Sequence, residues 1–149
     1  THNVSSAASD VYKRQVICWE SIFGEFVTGY VNEGATFLAV ISNDAWWGET
    51  PGHKQLISYT RLRAIENRRD IVRSANTGIS AIIDARGEII KKTRYDTKTL
   101  LTGNISSRSK LTFYTRYGDI IARWSILIAI IYFLLAASGR LKTKQFKNS

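Results

Sequence analysis

The chain has 149 residues, which is enough for one modest domain with its own core. A single cysteine excludes an intramolecular disulfide framework and a multi-cysteine zinc site, and two histidines argue against a histidine-rich site, so we expect no metal and no cofactor. The net charge of +9 lies partly in the tail after Gly139 and is otherwise scattered. A nucleic-acid partner is therefore not expected.

Residues 1–15 show no apolar periodicity and lack the long apolar region of a signal peptide. They contain the stretch SSAASDVYKRQ, which looks like the in-frame translation of a transposase adapter used in DNA library preparation. We therefore expect this segment to be non-native, with native sequence from about Val16 and anything needed before it missing. The alternative is a disordered native N-terminus.

Strand and helix patterns alternate from Val16 onward. The predicted elements are, in chain order, a strand ending at Cys18, a helix over 20–33 capped by Gly34, a strand over 36–42, a loop over 43–52, a helix over 53–69, a strand over 71–74, a hairpin of 79–84 and 88–93, and a strand over 100–105. This order predicts a mixed α/β layered domain.

Helical periodicity predicts the core-facing side of each helix. In the first helix the apolar stripe consists of Ile22, Phe23, Phe26, Val27 and Tyr30. In the second it consists of Leu56, Tyr59, Leu62 and Ile65, with Arg61, Arg68 and Arg69 facing water. The strand over 36–42 is almost continuously apolar, which is typical of a strand covered on both faces.

A membrane-length apolar segment runs from Ile120 to Ser138, interrupted only by Arg123. Its uncharged part from Trp124 would be about 24 Å long as a helix, against a hydrocarbon layer of roughly 30 Å. Counting from Ile120 makes it long enough if Arg123 reaches the interface beside Trp124. The alternative is a buried core helix. The basic residues after Gly139 predict a cytoplasmic tail, with the preceding domain on the outer face.

Cys18 is a candidate nucleophile because it lies where a strand gives way to a helix. The positive end of the helix dipole would stabilise a thiolate there, and the thiolate is the nucleophilic form of cysteine. Glu20 follows two residues later and would orient or polarise the site. The alternative is an inert, buried cysteine.

Two adjacent tryptophans, Trp46 and Trp47, lie in the predicted loop. They would line an acyl-chain groove or lie at the lipid headgroup level, and the alternative is that they cap the core. Asn43 and Asp44 end a buried strand, where ligand sites of layered α/β domains lie, and Asn76 would add polar groups beside them. Ordinary turn chemistry is the alternative for all three.

These motifs follow one another in a specific order. They are Cys18-Trp19-Glu20, then Phe23 and Glu25, SNDAWWG over 42–48, RLRAIE over 61–66, RSANTGIS over 73–80, DARG over 84–87 with Glu88, LTFY over 111–114 with Gly118, and the apolar helix. Together they resemble the apolipoprotein N-acyltransferase family, a membrane member of the nitrilase superfamily. The resemblance runs from Val16 to about Gly139, with Trp19 in place of the tyrosine common in the family.

The resemblance implies an α/β fold, the C-terminal half of a nitrilase-like αββα sandwich followed by one transmembrane helix. The domains would be a partial catalytic domain over 16–118, the transmembrane helix over 119–139 and a basic cytoplasmic tail over 140–149. The protein would lie in a bacterial inner membrane, with its catalytic domain on the periplasmic side, and act as a monomer.

The resemblance also implies the reaction. Cys18 would take a fatty acyl group from a phospholipid as a thioester and pass it to the N-terminal amine of a diacylglyceryl apolipoprotein, with Glu20 supporting the site. Trp46 would line the lipid side, and Trp19 and Trp47 are weaker candidates for the same wall. Asn43, Asp44 and Asn76 complete the candidate substrate-binding set.

The family's general-base glutamate and oxyanion-stabilising lysine precede the cysteine in sequence, and neither Glu25 nor Lys54 matches them. We therefore expect this chain alone to be inactive, and its open strand edges to hinder folding. Two other functions stay open. One is a nitrilase-like amidase that cleaves small C–N bonds, and the other is a non-catalytic, membrane-anchored domain in which Cys18 is inert.

Overall fold

A computed structural model describes residues 13–48 and 50–146, and within them the side chains of 15–48 and 50–138. The chain forms two units, one ending at Gly118 and the other beginning at Asp119. Most of the segment predicted to be non-native lies outside the described residues. Its last part, from Lys13, belongs to the first strand, so that strand begins before Val16.

The first unit is built on a mixed sheet whose five described strands follow chain order, β1-β2-β3-β4-β5. Its elements are β1 (Lys13–Ile17), a 3-10 helix (Cys18–Ile22), α1 (Gly24–Asn32), β2 (Phe37–Ser42), a second 3-10 helix (Asp44–Trp47), α2 (Gly52–Asn67), β3 (Ile71–Ala75), β4 (Ala81–Ile83), β5 (Ile89–Lys92) and α3 (Phe113–Tyr117). The predicted hairpin is confirmed, since β4 and β5 flank Asp84–Gly87 and pair antiparallel.

Strands β1, β2 and β3 run parallel, which brings their carboxyl ends to one edge of the sheet. Ile17 pairs with Ile41 and Ser42 pairs with Ala75, so residues that follow these strands meet at this carboxyl edge. Strand β4 is antiparallel to β3, and Ile83 pairs with Ile71. The turn after β4 therefore lies at the opposite, amino edge.

The core lies on one face of the sheet. It contains strand residues from every second position and apolar residues of the helices: Val16, Leu38, Val40, Ile71, Ala81, Ile83, Val27, Val31, Ile57 and Ala64. On the other face, Ile17 and Ile41 are exposed. The prediction that the strand over 36–42 is covered on both faces is therefore wrong for this structure, because its burial alternates from residue to residue.

The predicted first helix is divided in two. Phe23 has an extended backbone (φ −88°, ψ 103°) and separates the 3-10 helix from α1. This break shifts the helical phase, so Val27 and Val31 face the core while Phe23 and Phe26 are exposed. The predicted cap is confirmed, since Gly34 has φ 100° just after α1 ends.

The predicted core face of α2 is wrong apart from Leu56. Tyr59, Leu62 and Ile65 are between 39% and 41% exposed, and the buried residues of α2 are His53, Leu56, Ile57, Thr60, Arg63, Ala64 and Asn67. Thr60 and Asn67 turn inward because their polar groups find hydrogen-bond partners. The Asn67 amide, for example, donates to the Arg63 carbonyl and accepts from the Thr115 hydroxyl.

Arg69 is buried, whereas the sequence predicts it on the water-facing side of a helix over 53–69. Its guanidinium donates to the carbonyls of Ala35 (2.8 Å) and Lys110 (2.9 Å), among others. Burial lowers the pKa of Arg69 from its ordinary value, and the positive charge of Arg108 lowers that pKa further.

The predicted strand over 100–105 is not formed, and residues 97–112 contain no helix or strand. Single hydrogen bonds fasten this segment to the sheet instead. Examples are Ser106 N–H to the Asp70 carboxylate (2.6 Å) and Lys91 to the Thr102 carbonyl (2.9 Å).

The second unit is the helix α4 (Ile120–Phe146). Its first nineteen residues, Ile120–Ser138, have a mean hydropathy of 2.3 and none of this stretch is buried. By length and composition, α4 is the one helix among the described residues that is apolar enough to cross a membrane. The large apolar side chains of this stretch are exposed. Whether the helix spans a membrane or is a core helix stays a prediction.

Candidate active site

Cys18 lies at the sharp turn where β1 ends and the first 3-10 helix begins. Its φ of 45° is in the left-handed region, which costs a non-glycine residue of order 1–2 kcal/mol. The Glu20 carboxylate accepts from the Ile17 N–H at 2.8 Å, and the Ser21 hydroxyl donates to the Cys18 carbonyl at 2.7 Å. These bonds hold the strained turn, and backbone strain of this kind clusters at functional sites.

The Cys18 side chain is partly exposed at the carboxyl edge of the sheet. Its sulfur lies 3.6 Å from the Ser42 hydroxyl, which comes from the end of the neighbouring strand β2. The sequence predicts that a strand gives way to a helix at Cys18. The element that begins at Cys18 is a 3-10 helix of five residues and not an α-helix. A large helix-dipole effect on the sulfur is therefore not expected from this element.

Asp44 and Arg73 form a buried ion pair below this edge. One guanidinium nitrogen lies 2.9 and 2.8 Å from the two carboxylate oxygens, and both side chains are 0% exposed. The Ser42 hydroxyl donates to the same carboxylate, and the Arg73 guanidinium also donates to Thr60 on α2. A chain of polar contacts thus runs from Cys18 through Ser42 and Asp44 to Arg73.

Sequence reasoning missed this network, although it named Asp44. A guanidinium in the apolar strand sequence IVRSA was the available signal, because a buried charge needs a partner. The predicted role of Asp44 in binding substrate stays a prediction, and in this structure its carboxylate is committed to Ser42 and Arg73. Gly78 lies directly against it, since a Cβ at Gly78 would overlap the Asp44 carboxylate.

The two predicted asparagines lie at the same edge, both exposed. The Asn43 side chain accepts from the Ala45 N–H at 3.3 Å and so caps the second 3-10 helix. The Asn76 N–H donates to the Ser42 carbonyl at 3.0 Å. The structure therefore brings both asparagines near Ser42, and their contact with substrate stays a prediction.

Trp19, Trp46 and Trp47 line an open apolar groove of about 390 Å³ beside the turn that carries Cys18. The ring centroids of Trp19 and Trp47 are 5.8 Å apart. Trp46 is 86% exposed, so it does not cap the core. Three indoles around an open groove give a surface suited to an apolar ligand.

The family of carbon-nitrogen hydrolases matches residues 8–112 of this chain. The chain belongs to the carbon-nitrogen hydrolase family. The match begins inside the segment predicted to be non-native, and the origin of that segment stays a prediction. Among solved structures, the carbon-nitrogen hydrolase from Helicobacter pylori G27 aligns with a TM-score of 0.55 at 18% identity, over 61% of this chain and 39% of that one. The predicted nitrilase-like α/β fold is confirmed.

Two curated proteins are similar to this carbon-nitrogen hydrolase over most of its length. It is 37% identical over 136 residues to the apolipoprotein N-acyltransferase of Chlorobaculum tepidum, and this alignment covers 91% of this chain and 26% of that protein. It is 43% identical over 119 residues to the apolipoprotein N-acyltransferase of Geobacter metallireducens, and this alignment covers 78% of this chain and 23% of that protein. The chain spans about a quarter of the length of these curated relatives. The predicted family resemblance is confirmed.

Proposed function

We propose that this chain is part of an N-acyltransferase that moves a fatty acyl group from a phospholipid to the N-terminal amine of an apolipoprotein. One observation carries the proposal. Cys18 is held in a strained turn, partly exposed, beside the groove of Trp19, Trp46 and Trp47. The similarity to proteins named apolipoprotein N-acyltransferase supports the choice of reaction.

In the first half of the proposed reaction, the Cys18 thiolate attacks the carbonyl carbon of the sn-1 ester of the phospholipid. The tetrahedral intermediate then collapses, and the ester C–O bond breaks. The lysophospholipid takes up one proton and leaves as an alcohol, while the acyl group stays on the sulfur as a thioester.

In the second half, the α-amino group of the apolipoprotein attacks the thioester carbonyl. An amide bond forms, the C–S bond breaks and the nitrogen loses a proton. The sulfur returns to the thiolate, so neither an oxidant nor a reductant is consumed.

The remaining residues have supporting roles in this proposal. Glu20 holds the turn of Cys18 through its bond to Ile17, and Ser42 positions the sulfur. The family resemblance implies that a general-base glutamate and an oxyanion-stabilising lysine are contributed by sequence that precedes the cysteine. Neither Glu25 nor Lys54 is assigned to these roles.

The tryptophan groove would hold the acyl chain, since burial of each CH₂ contributes about 0.8 kcal/mol. Helix α4 would anchor the protein in the inner membrane, with the first unit on the periplasmic side as the basic residues after Gly139 predict. Both substrates would then reach the site from the lipid surface.

A chimera tests the proposal. The matching segment of the Geobacter metallireducens relative is replaced by this chain, and the membrane-reconstituted protein is incubated with acyl-labelled phospholipid. We expect label on Cys18, the only cysteine that this chain contributes, and release of that label by neutral hydroxylamine. The Cys18→Ala variant should acquire no label, whereas Ser107→Ala, at an exposed position of the 97–112 segment, should be labelled normally.

The alternatives give other results in the same experiment. An amidase would hydrolyse small amides in a Cys18-dependent manner without taking lipid label, and an anchor domain would show neither activity. Lipid transfer that persists in Cys18→Ala would overturn the proposed mechanism.

The groove has its own test. Trp46→Ala should slow thioester formation more for a long-chain than for a short-chain donor, because a longer chain loses more apolar contact. Equal slowing for both donors would mean that Trp46 does not contact the acyl chain.

A further inference from the structure

A second cavity lies at the amino edge of the sheet, opposite the edge that carries Cys18. Its volume is about 690 Å³, and its charged lining residues are Arg68, Asp84, Arg86, Arg108 and Lys110. Arg68 precedes β3, and Asp84 and Arg86 follow β4, which places them at the amino end of β3. The length of β3 separates this cavity from the cysteine edge by about 15 Å.

The cations of this cavity come from three separate segments. Arg68 ends α2, where a cation also suits the helix dipole. Arg86 belongs to the hairpin turn, and Arg108 and Lys110 to the irregular segment after the hairpin. Helix-dipole stabilisation therefore accounts for Arg68 alone and not for the convergence of the other three.

The carboxylates nearby are already engaged by backbone amides. Asp70 accepts from the N–H groups of Ala85 (2.9 Å) and Ser106 (2.6 Å). Asp84 accepts from the N–H groups of Arg86 (2.9 Å) and Glu88 (2.8 Å), which closes the hairpin turn. Their negative charge is thus partly used to hold the backbone of the cavity wall.

The guanidinium groups contact these carboxylates only at long distance. The Nε atom of Arg108 is 3.8 Å from Asp70, and that of Arg86 is 3.7 Å from Asp84. Charge-assisted hydrogen bonds measure about 2.7–2.9 Å. The two side chains are 51% and 76% exposed, so their N–H donors can reach a ligand from solvent.

Like charges also crowd together here. Buried Arg69 lies behind the cavity, and its pKa is lowered first by burial and then by the charge of Arg108. An anion bound between the guanidinium groups would offset this repulsion.

We infer that this cavity binds a phosphate ester. Arginine guanidinium groups present planar pairs of donors that match phosphate oxygens. The volume is within the range of small-molecule sites and exceeds what a phosphate group alone would fill, and Ala85 and Leu111 add an apolar wall for an organic substituent. The ligand is either a soluble phosphate ester or the phosphodiester headgroup of a lipid.

Isothermal titration of the full chain in uncharged detergent, at constant ionic strength set with chloride, tests this inference. The probes are inorganic phosphate, glycerol 3-phosphate and glycerophosphoglycerol, the last being a soluble lipid-headgroup diester. We expect saturable binding of at least one ester. Preference for the monoester would identify a soluble ligand, and preference for the diester a lipid headgroup.

Arg86→Gln and Arg108→Gln should each weaken binding roughly tenfold or more, as expected for loss of a charged hydrogen bond. The matched control is Arg94→Gln, which removes the same charge from an exposed position outside the cavity lining and should leave the affinity unchanged. Circular dichroism should show that all three variants keep the fold, since these side chains are exposed.

Two results would overturn the inference. One is the lack of saturable binding of both esters, whether or not inorganic phosphate binds. The other is equal weakening by Arg94→Gln, which would indicate a general charge effect. The site is independent of the proposed acyl transfer. Cys18→Ala should therefore bind the ester as the unmodified chain does, whatever the outcome of the acylation experiment.

Discussion

Breaking the Asp44–Arg73 ion pair should strongly destabilise the first unit. The change Asp44→Asn keeps the shape of the side chain and a group that can accept from Ser42, but it removes the negative charge. Arg73 would then remain 0% exposed without its counter-ion. Removal of one partner from a buried ion pair costs about 3–5 kcal/mol.

The exposed ion pair Arg86–Asp84 serves as the control for the stability effect of losing the buried pair. Its Nε···O distance is 3.7 Å and the arginine is largely exposed. Arg86→Met should therefore change the free energy of unfolding by about 1 kcal/mol or less. A domain is stabilised by about 5–15 kcal/mol in total, so the two variants should differ clearly.

Urea unfolding followed by tryptophan fluorescence measures both variants, at low and at high salt. The effect of Asp44→Asn should be nearly independent of salt because water and ions are excluded from the pair, whereas any effect of Arg86→Met should shrink as salt screens it. Combining Asp44→Asn with Arg73→Met should recover part of the lost stability, since no charge then stays buried.

Two results would contradict a buried, charge-paired Arg73. One is that Asp44→Asn destabilises no more than Arg86→Met does, and the other is that the double variant is less stable than Asp44→Asn alone. Either result would mean that the guanidinium is solvated in solution.

Three further predictions concern other parts of the chain. Gly78→Ala should destabilise the first unit by about 1–3 kcal/mol in urea unfolding because its Cβ would overlap the Asp44 carboxylate. Gly29→Ala on α1 has no atom within 4 Å of the new Cβ and should stabilise by up to about 1 kcal/mol. Equal effects of the two substitutions would contradict the close approach of Gly78 to Asp44. Cys18→Gly should be more stable than Cys18→Ala by about 1 kcal/mol, since glycine adopts φ 45° without strain; a less stable glycine variant would argue against the strained turn. Ile128→Lys should reduce the fraction of chain that resists alkaline extraction from membranes, because a charge at the centre of a spanning helix costs about 2.5–3.5 kcal/mol; unchanged extraction would argue against a membrane-spanning α4.

Local sequence patterns were sufficient to predict strands β2 and β3 and the β4–β5 hairpin. The run FLAVIS and the turn DARG carry their signals within a few residues. The core face of α2 could not be predicted in this way, because its buried positions include Thr60, Arg63 and Asn67. Their burial depends on hydrogen-bond partners that hydrophobic periodicity does not register.

The candidate site could also be predicted only in part, because some of its features depend on contacts between residues that are far apart in sequence. The position of Cys18 at a strand end follows from the apolar run before it, but its left-handed backbone conformation does not. Contact between Trp19 and Trp47 and the pairing of Asp44 with Arg73 depend on the parallel alignment of neighbouring strands. Those residues are 28 and 29 positions apart, so only the folded sheet brings them together.

Side chains alternate between the two faces of the sheet along β3, so the buried Arg73 guanidinium also constrains how β3 pairs with β2. Val72 and Ser74 point to the face opposite that of Arg73, so sliding β3 by a single residue against β2 would turn the arginine away from Asp44. In a misaligned pairing, the Asp44 carboxylate and the Arg73 guanidinium would each lack the opposite charge. The charge pair thereby selects one alignment of the two central strands, and with it the placement of Ser42 beside the sulfur.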